Sequence, residues 1–154
     1  MKIAIWSVGK VDESYIKEGV ANFTKRIGHY YPIEWHLITP SKASDPTQIK
    51  KEEAVSIFKT LAQNDVLILL DEKGKTFSSM GLSEFINKTM VAGYKHAVFV
   101  IGGPYGISAS LKSKHPQCIS LSSLTFSHQM VRLFLVEQLY RAMTILNNEP
   151  YHHE

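Results

Sequence analysis

The 154-residue sequence has little of several features that whole classes of protein require. Its one cysteine, Cys118, excludes an intramolecular disulfide framework and a cysteine-rich zinc site. Its longest apolar runs, such as 66–70 and 97–101, are far too short to span a bilayer. The N-terminus has no signal-peptide cleavage pattern. We therefore expect a cytoplasmic protein without a membrane partner.

The sequence also has no low-complexity tract and no internal repeat, and its composition, 44% hydrophobic and 20% charged, is that of a folded protein. Its length predicts a single domain over residues 1–154. The net charge is only +3, but residues 73–132 hold a single acid, Glu84. The basic residues of that stretch are Lys73, Lys75, Lys88, Lys95, Lys112, Lys114 and Arg132. This clustering favours a phosphate-rich partner, although a solvated surface explains the charge equally well.

Short apolar runs alternate with amphipathic segments along the chain. The runs predict strands at 2–8, 33–38, 65–70, 97–101 and 118–121. Helices are expected from Asp12 or Ser14 to Gly28, at 47–63, around 82–90 and at 129–147. Because the strands are nearly continuous in apolar residues, we predict an α/β fold, a parallel sheet with helices on both faces. Ligands then bind in the loops that follow Leu70, Ile101 and Leu121.

The loop Gly102-Gly103-Pro104-Tyr105-Gly106 leaves backbone open for a ligand to approach closely, although a simple tight turn would use the same residues. The sequence lacks the GxGxxG dinucleotide fingerprint and the GxxxxGKS/T phosphate loop. A nicotinamide-dependent reductase is therefore a distant possibility.

The segment 120–128 places hydroxyls and backbone amides before His128, at the start of the last helix. Near a helix N-terminus an imidazole tends to stay neutral, which suits a base or a hydrogen-bond donor. The alternative is a capping motif with Ser127 as N-cap. The helix that follows is apolar almost all round, which favours a subunit interface and a core helix about equally.

The chain ends in Pro150-Tyr151-His152-His153-Glu154. Adjacent histidines rarely reach one ion from a regular element and no third ligand is evident nearby, so we predict no metal. A disordered tail is the default for a chain end. If the tail folded back, Tyr151 and His152 would offer stacking and hydrogen bonding to an RNA base.

Six spaced blocks together resemble the RlmH family of ribosomal RNA methyltransferases, over essentially the whole chain. The blocks are Val8-Gly9-Lys10, 69–75, 101–106, 120–132, 137–142 and Tyr151-His152-His153-Glu154. The resemblance implies a SPOUT-class α/β fold with a C-terminal trefoil knot, and a homodimer. This sequence departs from the family at Ser127, where proline is usual, and it lacks the arginine that some relatives have in the tail.

The RlmH family transfers methyl from S-adenosylmethionine to N3 of pseudouridine 1915 of 23S rRNA on the assembled ribosome. By this resemblance S-adenosylmethionine would contact Leu70, Gly102, Leu121, Ser122, Ser123, Leu124, Thr125 and Phe126. The catalytic group would be His128, Arg141, Tyr151 and His152, and the RNA-binding residues Arg132, Lys112 and Lys114.

By the same resemblance, His128 or His152 would take the N3 proton, and Arg141 or Arg132 would stabilise charge on the flanking carbonyl oxygens. Tyr151 would stack on the extruded base. Two alternatives remain: a tRNA methyltransferase of the same knotted class, and a ribosome-binding module without catalysis.

Overall fold

The computed structural model describes residues 1–153. Five parallel strands form one sheet in the order β2-β1-β4-β3-β5. The strands are β1 Lys2–Val8, β2 Ile33–Ile38, β3 Asp65–Thr76, β4 His96–Ile101 and β5 Cys118–Ser120. The helices are α1 Ser14–Ile27, α2 Pro46–Thr60, α3 Ser79–Val91, α4 Ala109–Lys114 and α5 His128–Leu146. No helix in 1–153 is long and apolar enough to cross a membrane.

The sheet separates two hydrophobic cores, which confirms the predicted α/β fold with helices on both faces. One core lies under α1, α3 and α5 and includes Ile16, Ile86 and Leu139. The other lies under α2 and α4 and includes Ile57 and Leu111. Because every strand is parallel, all five carboxyl ends reach the same edge of the sheet.

Four local predictions were wrong. Glu13, not Asp12 or Ser14, is the N-cap residue of α1. Helix α2 ends at Thr60 and not at the predicted residue 63. Strand β3 does not end at Leu70. It continues to Thr76, because Lys75 and Thr76 pair with β5 after an interruption. Helix α4 was not expected at all.

The interruption in β3 brings two backbones unusually close. A Cβ on Gly74 would lie 2.5 Å from the carbonyl carbon of Ile119. Only glycine allows this approach without a shift of the backbone. The segment 71–74 is thereby held against β5, beside the loop that follows Ser120.

Candidate functional site

A cavity of about 590 Å³ opens at the carboxyl ends of β3, β4 and β5. Its volume falls within the range of small-molecule sites. All of the predicted cofactor residues except Ser123 line it: Leu70, Gly102, Leu121, Ser122, Leu124, Thr125 and Phe126. His128 and Lys112 line it as well. The loops chosen from the sequence therefore meet in one place.

The glycine loop forms one wall of this cavity. The Gly106 amide donates to the Gly103 carbonyl at 3.0 Å, and Gly106 has a φ of +80°. A Cβ on Gly102 would lie 2.9 Å from Ile107 Cδ1 and 3.2 Å from the carbonyl carbon of Gly106. The loop thus leaves no room for a side chain at Gly102.

Glu53 of α2 supports this loop from behind, a contact that sequence reasoning missed. Its side chain is buried, and the Gly103 amide donates a hydrogen bond to its carboxylate. Burial raises the pKa of Glu53 and the hydrogen bond from Gly103 partly opposes that shift. The buried face of α2 is formed by Glu53, Ala54 and Ile57, and nothing in the sequence singled out Glu53.

The opposite wall is the segment 121–127. Ser120 Oγ donates to the Ser122 carbonyl at 2.8 Å, and Ser122 Oγ accepts from the Leu124 amide at 3.0 Å. Leu124 is 70% exposed. These bonds hold an apolar side chain and several backbone amides at the rim of the cavity.

Charged groups mark the third side. Lys112 Nζ lies 2.6 Å from Asp71 Oδ2, and the Lys73 amide donates to Asp71 Oδ1 at 3.0 Å. Burial would raise the pKa of Asp71, but its bonds to Lys112 and Lys73 outweigh burial and lower it. Asp71 is thus held as a carboxylate. Lys114 lies elsewhere, with its ammonium 4.6 Å from the centroid of the Phe58 ring.

Ser127 is the N-cap of α5, as the capping interpretation predicted. Its hydroxyl accepts from the Met130 amide at 3.2 Å, and its φ is −60°. His128 is the first residue of the helix and its side chain is exposed at the cavity. The hydroxyl cap therefore holds the backbone before His128, although the family's usual proline is absent.

Arg132 corrects a prediction. We expected it to contact RNA, but its side chain is fully buried. Its Nε donates to Ser7 Oγ at 2.9 Å and its Nη2 to the Val8 carbonyl at 2.8 Å. Its Nη1 donates to the His128 carbonyl. The guanidinium thus joins the first turn of α5 to the end of β1 and is not available to RNA or to a carbonyl oxygen of the substrate.

Arg141, Tyr151 and His152 form a second group, centred on Glu137. Glu137 Oε1 accepts from Arg141 Nη2 at 2.6 Å and from the Tyr151 hydroxyl at 3.2 Å. The Arg141 guanidinium lies 4.8 Å from the centroid of the Tyr151 ring, and Arg141 Nη1 lies 3.4 Å from His152 Nδ1. Burial raises the pKa of Tyr151, and Glu137 raises it further. The tail therefore folds back on α5, contrary to the default of disorder.

A further bond fixes the start of the tail. The Tyr30 hydroxyl donates to Glu149 Oε2 at 2.5 Å, and burial together with this bond raises the pKa of Tyr30 to about 12. His153 is exposed and Glu154 lies outside the described residues. Within 1–153 no three His, Cys, Asp or Glu side chains are grouped so that they could hold a metal ion.

The two groups of predicted catalytic residues are far apart in one chain. His128 and Arg141 are thirteen positions apart on α5, which corresponds to about 20 Å along the helix axis. The cavity at the carboxyl ends of β3, β4 and β5 is therefore not completed by the tail of the same chain.

Comparison with known proteins identifies the family. The model of the family described as "Predicted SPOUT methyltransferase" matches residues 1–152. The chain belongs to this family. It is 48% identical to "Ribosomal RNA large subunit methyltransferase H" of Parabacteroides distasonis, with 100% of both chains covered. It is 47% identical to the protein of the same name from Cytophaga hutchinsonii, covering 99% of this chain and 100% of that one.

A solved structure supports the fold of the SPOUT family. A Bacillus anthracis protein assigned to the RNA methyltransferases superposes with a TM-score of 0.53 at 13% identity, covering 99% of this chain and 98% of that chain. At this identity the likeness concerns the fold alone. The trefoil knot stays a prediction from the family.

Proposed function

We propose that this chain transfers a methyl group from S-adenosylmethionine to N3 of pseudouridine 1915 in 23S rRNA, on the assembled cytoplasmic ribosome. The observation that carries the proposal is the cavity at the carboxyl ends of β3, β4 and β5, lined by the loops that the family resemblance assigned to the cofactor. The printed names of the relatives, large-subunit rRNA methyltransferases, support the substrate class.

The cavity fits S-adenosylmethionine in size and chemistry. Gly102 lines the cavity without a side chain, which suits close approach of an adenine edge to its backbone. The apolar side chains of Leu70, Leu121 and Leu124 would lie against the ring. When bound, the cofactor supplies an electrophilic methyl on a sulfonium.

The remaining task of the protein is to position N3 and remove its proton. Transfer forms an N–C bond, breaks an S–C bond and releases the N3 proton, so an in-line approach and a base are required. His128, at the cavity, or His152, beside Arg141, would take that proton. The Arg141 cation would stabilise negative charge on the flanking carbonyl oxygens. Tyr151 would stack on the base.

We also propose that the active unit is a homodimer. The roughly 20 Å along α5 between His128 and Arg141 leaves each chain with two half-sites. A second copy placed with its tail at the cavity would unite them. The ring of Phe126, which lines the cavity, stacks on Phe134 at 4.5 Å, and Phe134 is 36% exposed. This aromatic pair is an apolar surface next to the cavity, as a subunit contact needs.

Tritiated methyl transfer tests the function. Ribosomes purified from cells lacking this protein, separated subunits and bulk tRNA are each incubated with the enzyme and labelled S-adenosylmethionine. We expect label on the large-subunit RNA of assembled ribosomes, at a pseudouridine. Label on tRNA instead would retain the family and overturn the substrate. Binding of S-adenosylmethionine with no label anywhere would favour a ribosome-binding module.

A further inference from the structure

A second cavity, of about 750 Å³, lies on the face of the sheet that carries α1. It is bordered by α1 residues 17–25, by β2 residues 35–37 and by residues 7–11 at the end of β1. None of the predicted catalytic or cofactor residues lines it. Its lining is distinct from that of the cofactor cavity, and nothing in the proposed chemistry uses it.

The lining combines an apolar surface with positive charge. Its apolar side chains are Val11, Val20, Ala21, Trp35 and Leu37. Leu37 is 46% exposed, although it stands on the same face of β2 as the core residue Ile33. Three lysines also line the cavity: Lys10, Lys17 and Lys25. Among the described residues no acid lines it; Asp12, Glu13 and Glu18 belong to the same segments but are not part of the lining.

This composition selects the class of occupant. Three ammonium groups around an apolar surface complement a ligand that has a flat, weakly polar body and several negative charges. An unpaired nucleotide within an RNA strand has both, because its base can stack on an aromatic ring and its flanking phosphates are anionic. An apolar face of a second copy would leave the three lysines without counter-charges.

Arg132 connects this cavity to the cofactor cavity. Its guanidinium donates to Ser7 Oγ and to the Gly9 carbonyl at 3.1 Å, and both residues line the second cavity. The same guanidinium donates to the carbonyl of His128, which lines the first. The two cavities are therefore neighbours, with this buried guanidinium between them.

We propose that the second cavity is an RNA-docking site, which receives an unpaired nucleotide of the methylated RNA with its phosphates at Lys10, Lys17 and Lys25. This inference rests on the proposed function, because it takes the same RNA as the substrate of the cofactor cavity. It adds a contact surface that is separate from the catalytic residues.

Two variants test the site. The triple variant K10Q/K17Q/K25Q removes the charges, and Ala21→Phe fills the cavity without changing charge. A matched control, K42Q/K51Q/K59Q, removes three exposed charges elsewhere. For each protein we would measure kcat and KM for ribosomes, the salt dependence of ribosome co-sedimentation, the Kd for S-adenosylmethionine, and the oligomeric state by light scattering.

We expect the lysine triple to raise KM for ribosomes about tenfold. It should also make the slope of log K for ribosome binding against log salt less negative, by roughly 2 to 3. Ala21→Phe should raise KM with the salt slope unchanged. Both variants should retain the Kd for S-adenosylmethionine, and the control should behave as wild type.

Three outcomes would overturn the docking site. These are a lysine triple that behaves like the control, an Ala21→Phe protein with unaltered KM and ribosome binding, and a change of oligomeric state, which would make the cavity an interface between copies. If the wild-type enzyme labelled no RNA, the proposed function would fail by itself. Co-sedimentation of the variants with ribosomes would still decide the docking site.

Discussion

Of the three glycines that line the cavity at the carboxyl ends of β3, β4 and β5, Gly102 is the one whose Cβ would lie nearest to another atom. A Cβ there would contact Ile107 and the backbone of Gly106, and backbone yields at greater cost than a flexible side chain. We expect Gly102→Ala to weaken S-adenosylmethionine binding by at least about tenfold and to lower the free energy of unfolding by about 1–3 kcal/mol. Isothermal titration calorimetry and urea unfolding measure the two effects.

Gly93→Ala is the control for this substitution. Gly93 has a φ of +83°, but nothing lies within 4 Å of its ideal Cβ. Its alanine variant should be destabilised by backbone strain alone and should bind S-adenosylmethionine like wild type. Equal losses of binding in the two variants would show that global stability, not the cavity wall, determines affinity.

Glu53 gives the fold a specific pH dependence. Burial raises its pKa above the ordinary value of 4.5, so the folded state holds the proton more tightly than the unfolded state. The protonated carboxyl of Glu53 stabilises the folded state below about pH 4.5. This contribution to the free energy of unfolding is lost as pH rises through the folded pKa. We expect Glu53→Gln to gain stability relative to wild type between pH 5 and pH 8 in urea unfolding.

The adjacent residue Glu52 provides the comparison. It is exposed, and hydrogen bonds from Ser41 and Gln48 lower its pKa, so its titration lies below 4.5. The difference in stability between Glu52→Gln and wild type should therefore not vary with pH between pH 5 and pH 8. A Glu53→Gln difference that is flat over the same range would contradict the effect assigned to burial.

Helix α5 carries a prediction at the level of an element. Its N-cap hydroxyl satisfies the Met130 amide, so Ser127→Ala should lower the free energy of unfolding by about 1 kcal/mol. Ser127→Pro should cost less, because the φ of −60° at this position is already that of proline. Chemical denaturation of the two variants measures the order. A larger loss for proline than for alanine would contradict it.

Elements also show where sequence reasoning stops. Continuous apolar runs predicted β1 and β4 within one residue, because burial on both faces requires such runs. The continuation of β3 past Leu70 could not be predicted, because 71–75 is polar and only the pairing of Lys75 with Ile119 makes it a strand. The burial of Glu53 on α2 was not predicted, because its partner is the backbone of Gly103, fifty positions away.

The candidate site could likewise be predicted only in part from the sequence. The meeting of the segments that follow Leu70, Ile101 and Leu121 could be predicted, because in a parallel sheet the carboxyl ends of strands lie at one edge. The burial of Arg132 could not be predicted, since three of its acceptors, on Ser7, Val8 and Gly9, lie more than a hundred positions away. The second cavity could not be predicted either, because α1 and β2 meet only in the folded protein. Its lysines also lie outside the basic stretch 73–132.

At the scale of the whole molecule, the distance between His128 and the Arg141 group determines how many chains a site needs. Suppose that one site takes its cavity from one copy and its tail from another. A protein with either half-site changed is then inactive by itself, and a mixture of the two changed proteins regains activity. His128→Ala removes the cavity side, and Arg141→Ala removes the tail side. Neither should unfold the chain, because His128 is exposed and the Arg141 side chain bonds to Glu137 and His152 and not to the core.

Mixing these two variants tests the central claim most directly. After exchange of subunits in equal amounts, half of the dimers contain one copy of each variant and one intact site. We predict that methyl transfer to ribosomes is at least about a hundredfold below wild type for each variant alone. The mixture should recover roughly a quarter of wild-type activity. A mixture as inactive as its components, with subunit exchange demonstrated, would contradict a site built from two copies.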